Sequence, residues 1–389
     1  MKRAKAKGFS FIELLTSIAI LSVVMGAVIG ALVQAQKATT AVTLMADMQQ
    51  NLRTGMHFMV RDLTQAGEGM PPAGVFIPLN AAGNSNLNRP GTSPAATFPT
   101  SFTVLPVISP GSQIGQHAKT LSVTTGAVLD GNLSTDIINL VYADNTLVDS
   151  SANKKYLNAA PVKSASAPVC NGSIAANGTS ATLDASCFTM PGGPTPISTG
   201  NLILFTNGNG SALEYVTSVS GQTINFAAGD PAGLNALNAV TYPSGTVPAI
   251  SASTTATTIT RVWMVTYYID STTTPSRPQL MRQVNYPGYP AASPANPPQP
   301  VADSIENLSF SYDIINSVAP GGTYALGAGD APTPLGGDTA SQIRAVNVTL
   351  AARSEYPLMA GSASAQYAHN NLSTQVAVRS LSFVNQFNH

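Results

Sequence analysis

Glu13 is the one charged residue between Phe9 and Gln36, and it follows a basic octapeptide, MKRAKAKG, that ends in Gly8. A carboxylate at the margin of so apolar a run is costly to desolvate, so it calls for a partner or else snorkels to the headgroups. Its chemistry is ion pairing rather than acid–base catalysis. The two cysteines, Cys170 and Cys187, fit neither a CxxC redox pair nor a zinc set. In an oxidising compartment they would close a loop of about 18 residues and stabilise the fold by roughly 3 kcal/mol in the loop-entropy picture; otherwise they are two partly buried thiols. The four histidines, His57, His117, His369 and His389, are far apart in sequence, and none has a carboxylate or cysteine at ligand spacing. Asn207-Gly208-Asn209-Gly210 and the pair Asp330 and Asp338 offer loop oxygens, but neither follows EF-hand spacing and Gly-Asn runs are common turns. No G-x-S-x-G, Walker loop, Rossmann fingerprint or H-E-x-x-H occurs. The expectation is a chain that is not an enzyme and needs no cofactor, with calcium at either loop as the alternative.

The element that carries Glu13 is legible from hydropathy. Leu14 to Val33 is an apolar stretch of 20 residues, long enough for a helix to cross the hydrocarbon layer. Lys2, Arg3, Lys5 and Lys7 flank it on the N-terminal side, which keeps that end cytoplasmic and sends the rest of the chain outward. Without those four, 14 basic residues face 18 acidic ones, so the remainder is mildly acidic and has no field to recruit nucleic acid. Nor do Arg261, Arg277 and Arg282 cluster in sequence as a nucleic-acid footprint would. An ordinary secretory signal places its small-residue cleavage site after the apolar region. Here the best small residue, Gly8, precedes it, and the apolar region is longer.

This inverted order, G-F-S-F-I-E-L-L after a basic leader, resembles the class III signal of type IV prepilins and type II secretion pseudopilins. The resemblance implies cutting by prepilin peptidase between Gly8 and Phe9 and methylation of the new N-terminus at Phe9. Glu13 then becomes the fifth mature residue, and it is implied to meet the N-terminal amine of a neighbouring subunit. Gly26 and Gly30 form a GxxxG step that would permit close helix approach, although glycine is common in spanning helices.

No proline interrupts residues 9 to 69, and Met45, Met48, Leu52, Met56, Met59, Leu63 and Ala66 recur at helical spacing. The spacing predicts one helix over 9–66, about 87 Å long at 1.5 Å per residue. Its second half turns the methionine stripe to a core and leaves Asp47, Gln50, Arg53 and Arg61 in water. Gly67-Glu68-Gly69-Met70-Pro71-Pro72 ends it. The segment NLRTGMHFMVRDLTQAGEGM resembles W-type minor pilins and, more loosely, J-type pseudopilins, with Arg61, Asp62, Leu63, Ala66 and Gly67 in the places of an R-D-L-x-x-A-G pattern.

Beyond Pro72 the chain alternates turn-rich passages with short β-branched runs at 102–108, 136–142, 200–205, 213–219 and 222–227. Clearer strands follow at 259–269, 279–284, 308–314, 342–353 and 375–384. The segments PQLMRQV, SIENLSFSYD and IRAVNVTLAARS resemble the sheet of the same two groups, whereas residues 73–258 have no counterpart. Ser380 stands where the family often has Asn. The expected fold is α+β: a long membrane-spanning N-terminal helix packed on an antiparallel sheet, with a large loop-rich β insertion. Its divisions are a leader 1–8, a membrane and filament-core helix 9–36, an amphipathic continuation 37–70, a variable β region 71–258 and a C-terminal sheet region 259–389.

A domain this large would crowd its neighbours if every subunit carried it, so the resemblance implies a low-copy minor subunit that primes or caps a pilus. The implied partners are prepilin peptidase, other major and minor pilins, the inner-membrane assembly platform and the lipid bilayer, with no nucleic acid indicated. The implied route runs from the inner membrane, with the bulk in the periplasm, to the pilus at the cell surface. A J-type pseudopilin of a type II secretion system is the alternative, and a filament-tip adhesin or DNA-binding module is the alternative of another class.

Overall fold

The computed structural model describes residues 10–71, 74–79, 82–90, 98–99, 102–121, 128–144, 157–159, 172–175, 178–183, 197–207, 210–235, 257–275, 277–286, 297–314, 323–324, 339–357 and 367–382. One helix, α1 (Phe11–Gln65), runs without a break from the apolar segment into the globular body. It starts on Ser10, whose backbone N–H donates to Glu13 Oε2 at 3.1 Å in a capping box. It ends because Gly67 turns left-handed (φ +79°), a conformation only glycine adopts without cost.

The largest sheet has eight antiparallel strands around a spine, Thr257–Asp270. On one side the spine pairs in succession with Leu202–Asn207 and Gln279–Val284, and on the other with Leu157–Ala159 and Ile137–Ala143. Gly210–Tyr215 and Gln299–Asp303 close its two ends, and Ile108–Gly111 pairs with Ile137–Ala143. A second sheet of four strands has the order Thr323–Tyr324, Ile305–Ile314, Ile343–Arg353, His369–Ala377. The chain passes between the two sheets at Ser304, whose left-handed φ of 57° makes the corner and whose carbonyl accepts from Arg353 N at 3.0 Å. A third sheet, Ser218–Ser220, Thr223–Asn225, Ser180–Leu183 and Gly172–Ile174, belongs to the insertion.

The core explains the alternation. In Leu202–Asn207, Leu202 and Leu204 face the main core against α1, while Ile203 and Phe205 face a second cluster with Ile197, Ile224 and Phe226. Such a strand is buried on both faces and reads as a continuous apolar run. Ile305–Ile314 and Ile343–Arg353 bury only the face toward α1 and keep polar residues outward, hence their period of two.

The α+β arrangement expected from the sequence is the one observed, with four local corrections, the first being that the run 102–108 is two short strands, Val104–Leu105 and Ile108–Gly111, in different sheets. The packed face of the helix runs through Ala41, Leu44 and Met48 rather than Met45, which is 41% exposed because it is turned off that face. The run 213–219 is two strands, Gly210–Tyr215 and Ser218–Ser220, separated where Val216 and Thr217 turn from one sheet to the next. The last strand is His369–Ala377 rather than 375–384, and Arg379–Ser382 is a turn of helix. That turn places Ser380 Oγ as a donor to the Ala66 carbonyl, an orphan acceptor at the end of α1.

Candidate functional site: the long helix and its buried anchor

Two halves of α1 do different physical work. From Phe11 to Thr40 every residue is exposed, including Phe11, Ile20 and Val23 at 65–78%. This half is apolar and long enough to cross a membrane. Its hydroxyls suit a medium without water: Thr16 donates to the Ile12 carbonyl at 3.0 Å, Ser22 to the Ile18 carbonyl at 2.8 Å, and Ser17 to the Glu13 carbonyl. Each of these hydroxyls is thereby satisfied inside the helix, as lipid requires. Nothing lies within 4 Å of a Cβ built on Gly26 or Gly30, so that step is open in the single chain.

The second half is clamped. Met48, Leu52, Met56, Met59 and Leu63 are buried against both larger sheets. Gly55 marks the closest approach, for a Cβ there would sit 2.9 Å from Leu280 Cδ2, 3.2 Å from Ala302 Cβ and 3.4 Å from Leu350 Cδ1. Those three residues come from both sheets, so the helix lies over the seam between them.

Asp62 carries the polar part of the clamp. Its carboxylate, 1% exposed, accepts from Tyr267 Oη at 2.6 Å and from Arg282 Nε at 2.6 Å, and Arg61 adds a longer contact at 3.3 Å. Burial, followed by the neighbouring Asp62 charge, pushes the Tyr142 hydroxyl up to about 12 and the Tyr267 hydroxyl higher still. Arg282 is held in its charged form above the ordinary range by its hydrogen bond and attraction to Asp62, which overcome its own desolvation. The arrangement is one buried ion pair with two neutral phenols. It fixes the geometry of the joint between α1 and the body.

Beyond the helix end, Gly67 N donates to the Val141 carbonyl at 2.8 Å, and Ala143 N donates to the Glu68 carbonyl at 2.8 Å. Backbone therefore ties the turn after α1 to the strand Ile137–Ala143.

The structure distributes the sequence candidates unevenly. Glu13 stands exposed in the first turn of α1, bonded back to Ser10. Gly8, Phe9, Cys170, Cys187, His389, Asp330 and Asp338 lie outside the described residues. Asn207 and Gly210 are partners in the antiparallel pairing of their two strands, and Gly208 and Asn209 lie outside the described residues. His57 and His117 are exposed, and His369 Nδ1 meets Glu306 Oε1 at 2.8 Å. Arginines scattered in sequence each find an acid: Arg261 with Asp144, Arg277 with Asp303 at 3.0 Å, and Arg282 with Asp62. Among the described residues no group of three or more His, Cys, Asp or Glu is placed to hold a metal ion.

Asp62 in its role as an anchor escaped the sequence reading, since one acid beside an apolar stripe resembles a solvated edge. Its period was the available signal, because Asp62 lies three residues past Met59 on the buried side.

An exposed apolar half-helix on a folded body, capped by Ser10 and Glu13, is the geometry against which the N-terminal sequence can be weighed. Residues 3–29 match the prokaryotic N-terminal methylation motif. That motif is the one type IV pilins and pseudopilins present to prepilin peptidase, and it spans the basic leader, Gly8, Phe9, Glu13 and the first turns of α1. No curated protein and no solved structure matches the chain. The methylation motif thus speaks for processing and membrane anchoring of the N-terminus, and the body must be read from its own physics.

Proposed function

We propose that the chain is a low-copy, minor subunit of a type IV pilus, cut between Gly8 and Phe9 and methylated at Phe9, that helps prime or cap the filament. The supporting observation is the division of α1: a methylation motif on a wholly exposed apolar half, continuous with a half fixed by Asp62 and Gly55 to a large β body. A rigid joint of this kind transmits force between the membrane segment and the body.

In this reading Glu13 accepts an ion pair from the N-terminal amine of an adjacent subunit, which replaces its bond to Ser10. The N-terminus is cytoplasmic before cutting, the body is periplasmic, and the inner-membrane assembly platform passes the subunit to the surface. The partners are prepilin peptidase and other pilins, and no cofactor is invoked. A J-type pseudopilin of a type II secretion system is the second reading, favoured by the same methylation motif, which both kinds of protein share.

The test is intact mass and N-terminal sequencing of the membrane-derived protein with and without prepilin peptidase. A chain beginning at methylated Phe9 only when the peptidase is present supports the assignment. Retention of Met1 to Gly8 in both strains refutes it. Deleting the chain then separates the two readings by whether surface pili or secretion is lost.

A further inference from the structure

Strand His369–Ala377 is the outer strand of the second sheet, and among the described strands only Ile343–Arg353 pairs with it. Its nine residues keep unbroken register from His369 opposite Arg353 to Ala377 opposite Ala345. An unpaired edge of that length is a template for adding another strand, and proteins ordinarily blunt such edges with charge, proline, bulges or brevity.

The other edges here are blunted. Gln299–Asp303 contains Pro300 and Asp303 and meets a bulge at Leu280/Met281. Gly210–Tyr215 carries the buried acid Glu214, and Ile108–Gly111 contains Pro110. His117–Leu121 and Val128–Ser134 carry Lys119 and Asp130 and a register shift. The outer side of Ile305–Ile314, which Thr323–Tyr324 pairs only at Tyr312 and Asp313, carries Glu306 and is met by Asp136 at Leu308 and Phe310, and the remaining described edge strands are two or three residues long. Among the described edge strands, His369–Ala377 alone is long, regular and free of Asp, Glu, Lys, Arg and proline.

We propose that this edge receives an added β-strand from a different polypeptide, an extended uncharged segment that alternates apolar and polar residues. Leu372, Thr374 and Val376 are partly or wholly buried on the side of the sheet that packs on α1, while Asn371, Ser373 and Gln375 are exposed on the other. An added strand must match that alternation, and the acids nearest the edge are already partnered, Glu306 with His369 at 2.8 Å and Asp313 with Gln375 and Asn347, which leaves a charged segment little to pair with. The occupant is not the same strand of a second copy paired antiparallel. Antiparallel two-fold pairing would rotate the copies about the sheet normal and point their α1 helices in opposite directions, which anchoring in one membrane forbids. That exclusion rests on the anchoring reading above, whereas the open edge rests on the sheet alone.

The experiment is amide hydrogen exchange on the full chain. Native membranes from cells with the intact prepilin-peptidase system are compared with the same chain purified in detergent. Amides of 369–377 should exchange at least tenfold more slowly in the membranes. Thr374→Lys, which sets a charge facing inward at the edge, should abolish that difference while Ile343–Arg353 stays protected in both samples. Equal exchange in the two samples overturns the proposal. So does protection already complete in the purified chain at every concentration, which would mean cover from its own residues. Protection that grows with the concentration of purified chain would indicate pairing of copies and overturn it too, as would membrane protection that survives Thr374→Lys. N-terminal processing is read separately by mass, so failure of the edge leaves the pilin assignment standing and the reverse.

Discussion

Removing the Asp62 carboxylate should loosen the joint between α1 and the body more than any surface change. Asp62→Ala strands Arg282, whose side chain is only 18% exposed, and leaves the Tyr267 hydroxyl without its 2.6 Å acceptor. Breaking one side of a buried ion pair costs about 3–5 kcal/mol. The lost hydrogen bond to a charged acceptor is part of that figure, not an addition to it. Against a total stability of about 5–15 kcal/mol, a loss of this size is a large fraction of the whole. Arg282→Met should cost somewhat less, since the buried Asp62 carboxylate keeps the Tyr267 donor at 2.6 Å and the longer Arg61 contact at 3.3 Å. The informative variant is Asp62→Leu with Arg282→Met, which removes both charges and puts apolar volume in their place. Buried pairs replaced in this way are often neutral or better, but Tyr267 Oη still loses its acceptor, so the double variant should lie within about 3 kcal/mol of the parent, with a coupling of about 2 kcal/mol or more. Urea unfolding of the full chain in detergent measures it, followed by fluorescence of Trp263, the one tryptophan, which sits on the spine strand that also bears Tyr267. Additive single and double effects would refute the view that Asp62 and Arg282 act as a unit.

Three further outcomes follow from the same joint. Gly55→Leu should destabilise by about 1–3 kcal/mol by overpacking, because the space above Gly55 is filled by Leu280, Ala302 and Leu350; an unchanged urea midpoint would contradict the close approach. Gly67→Ala should cost more than about 1 kcal/mol, since alanine resists φ of +79° and its Cβ would meet Ser380 and Val107, and thermal unfolding reads the loss. Tyr142 links stability to alkali: its folded value, about 12, exceeds the unfolded 10.0, so the folded state holds its proton longer and stability falls as pH rises through 10 to 12. Tyr142→Phe should remove about 2–3 kcal/mol of that decline, measured as urea midpoints across the range and checked by tyrosinate absorbance.

The N-terminal third of the problem was legible without coordinates. A basic leader, Gly8, Phe9 and Glu13 ahead of an uninterrupted apolar run constitute a local pattern, and local patterns depend only on neighbours along the chain. The 3.6-residue period of Met48, Leu52, Met56 and Met59 and the two-residue period of Leu308, Phe310 and Tyr312 likewise state which face is buried before the partner is known. The methylation motif agrees with the first of these readings. Other features were decided only by folding. Asp62 meets Arg282 and Tyr267 across more than 200 positions, and no periodicity announces such a contact. Gly55 lies in a helix where its type is unfavourable by itself, and only the convergence of two sheets explains it. The final strand was misplaced because V-A-V-R-S-L-S-F-V is apolar enough for either state, and the carbonyl of Ala66 turned Arg379–Ser382 into helix. Sequence alone determined that the chain has one apolar helix bearing a processing signal and a β-rich body. Tertiary structure decided how the two are joined, because a joint is made of residues that are distant in sequence and adjacent only after the chain has folded.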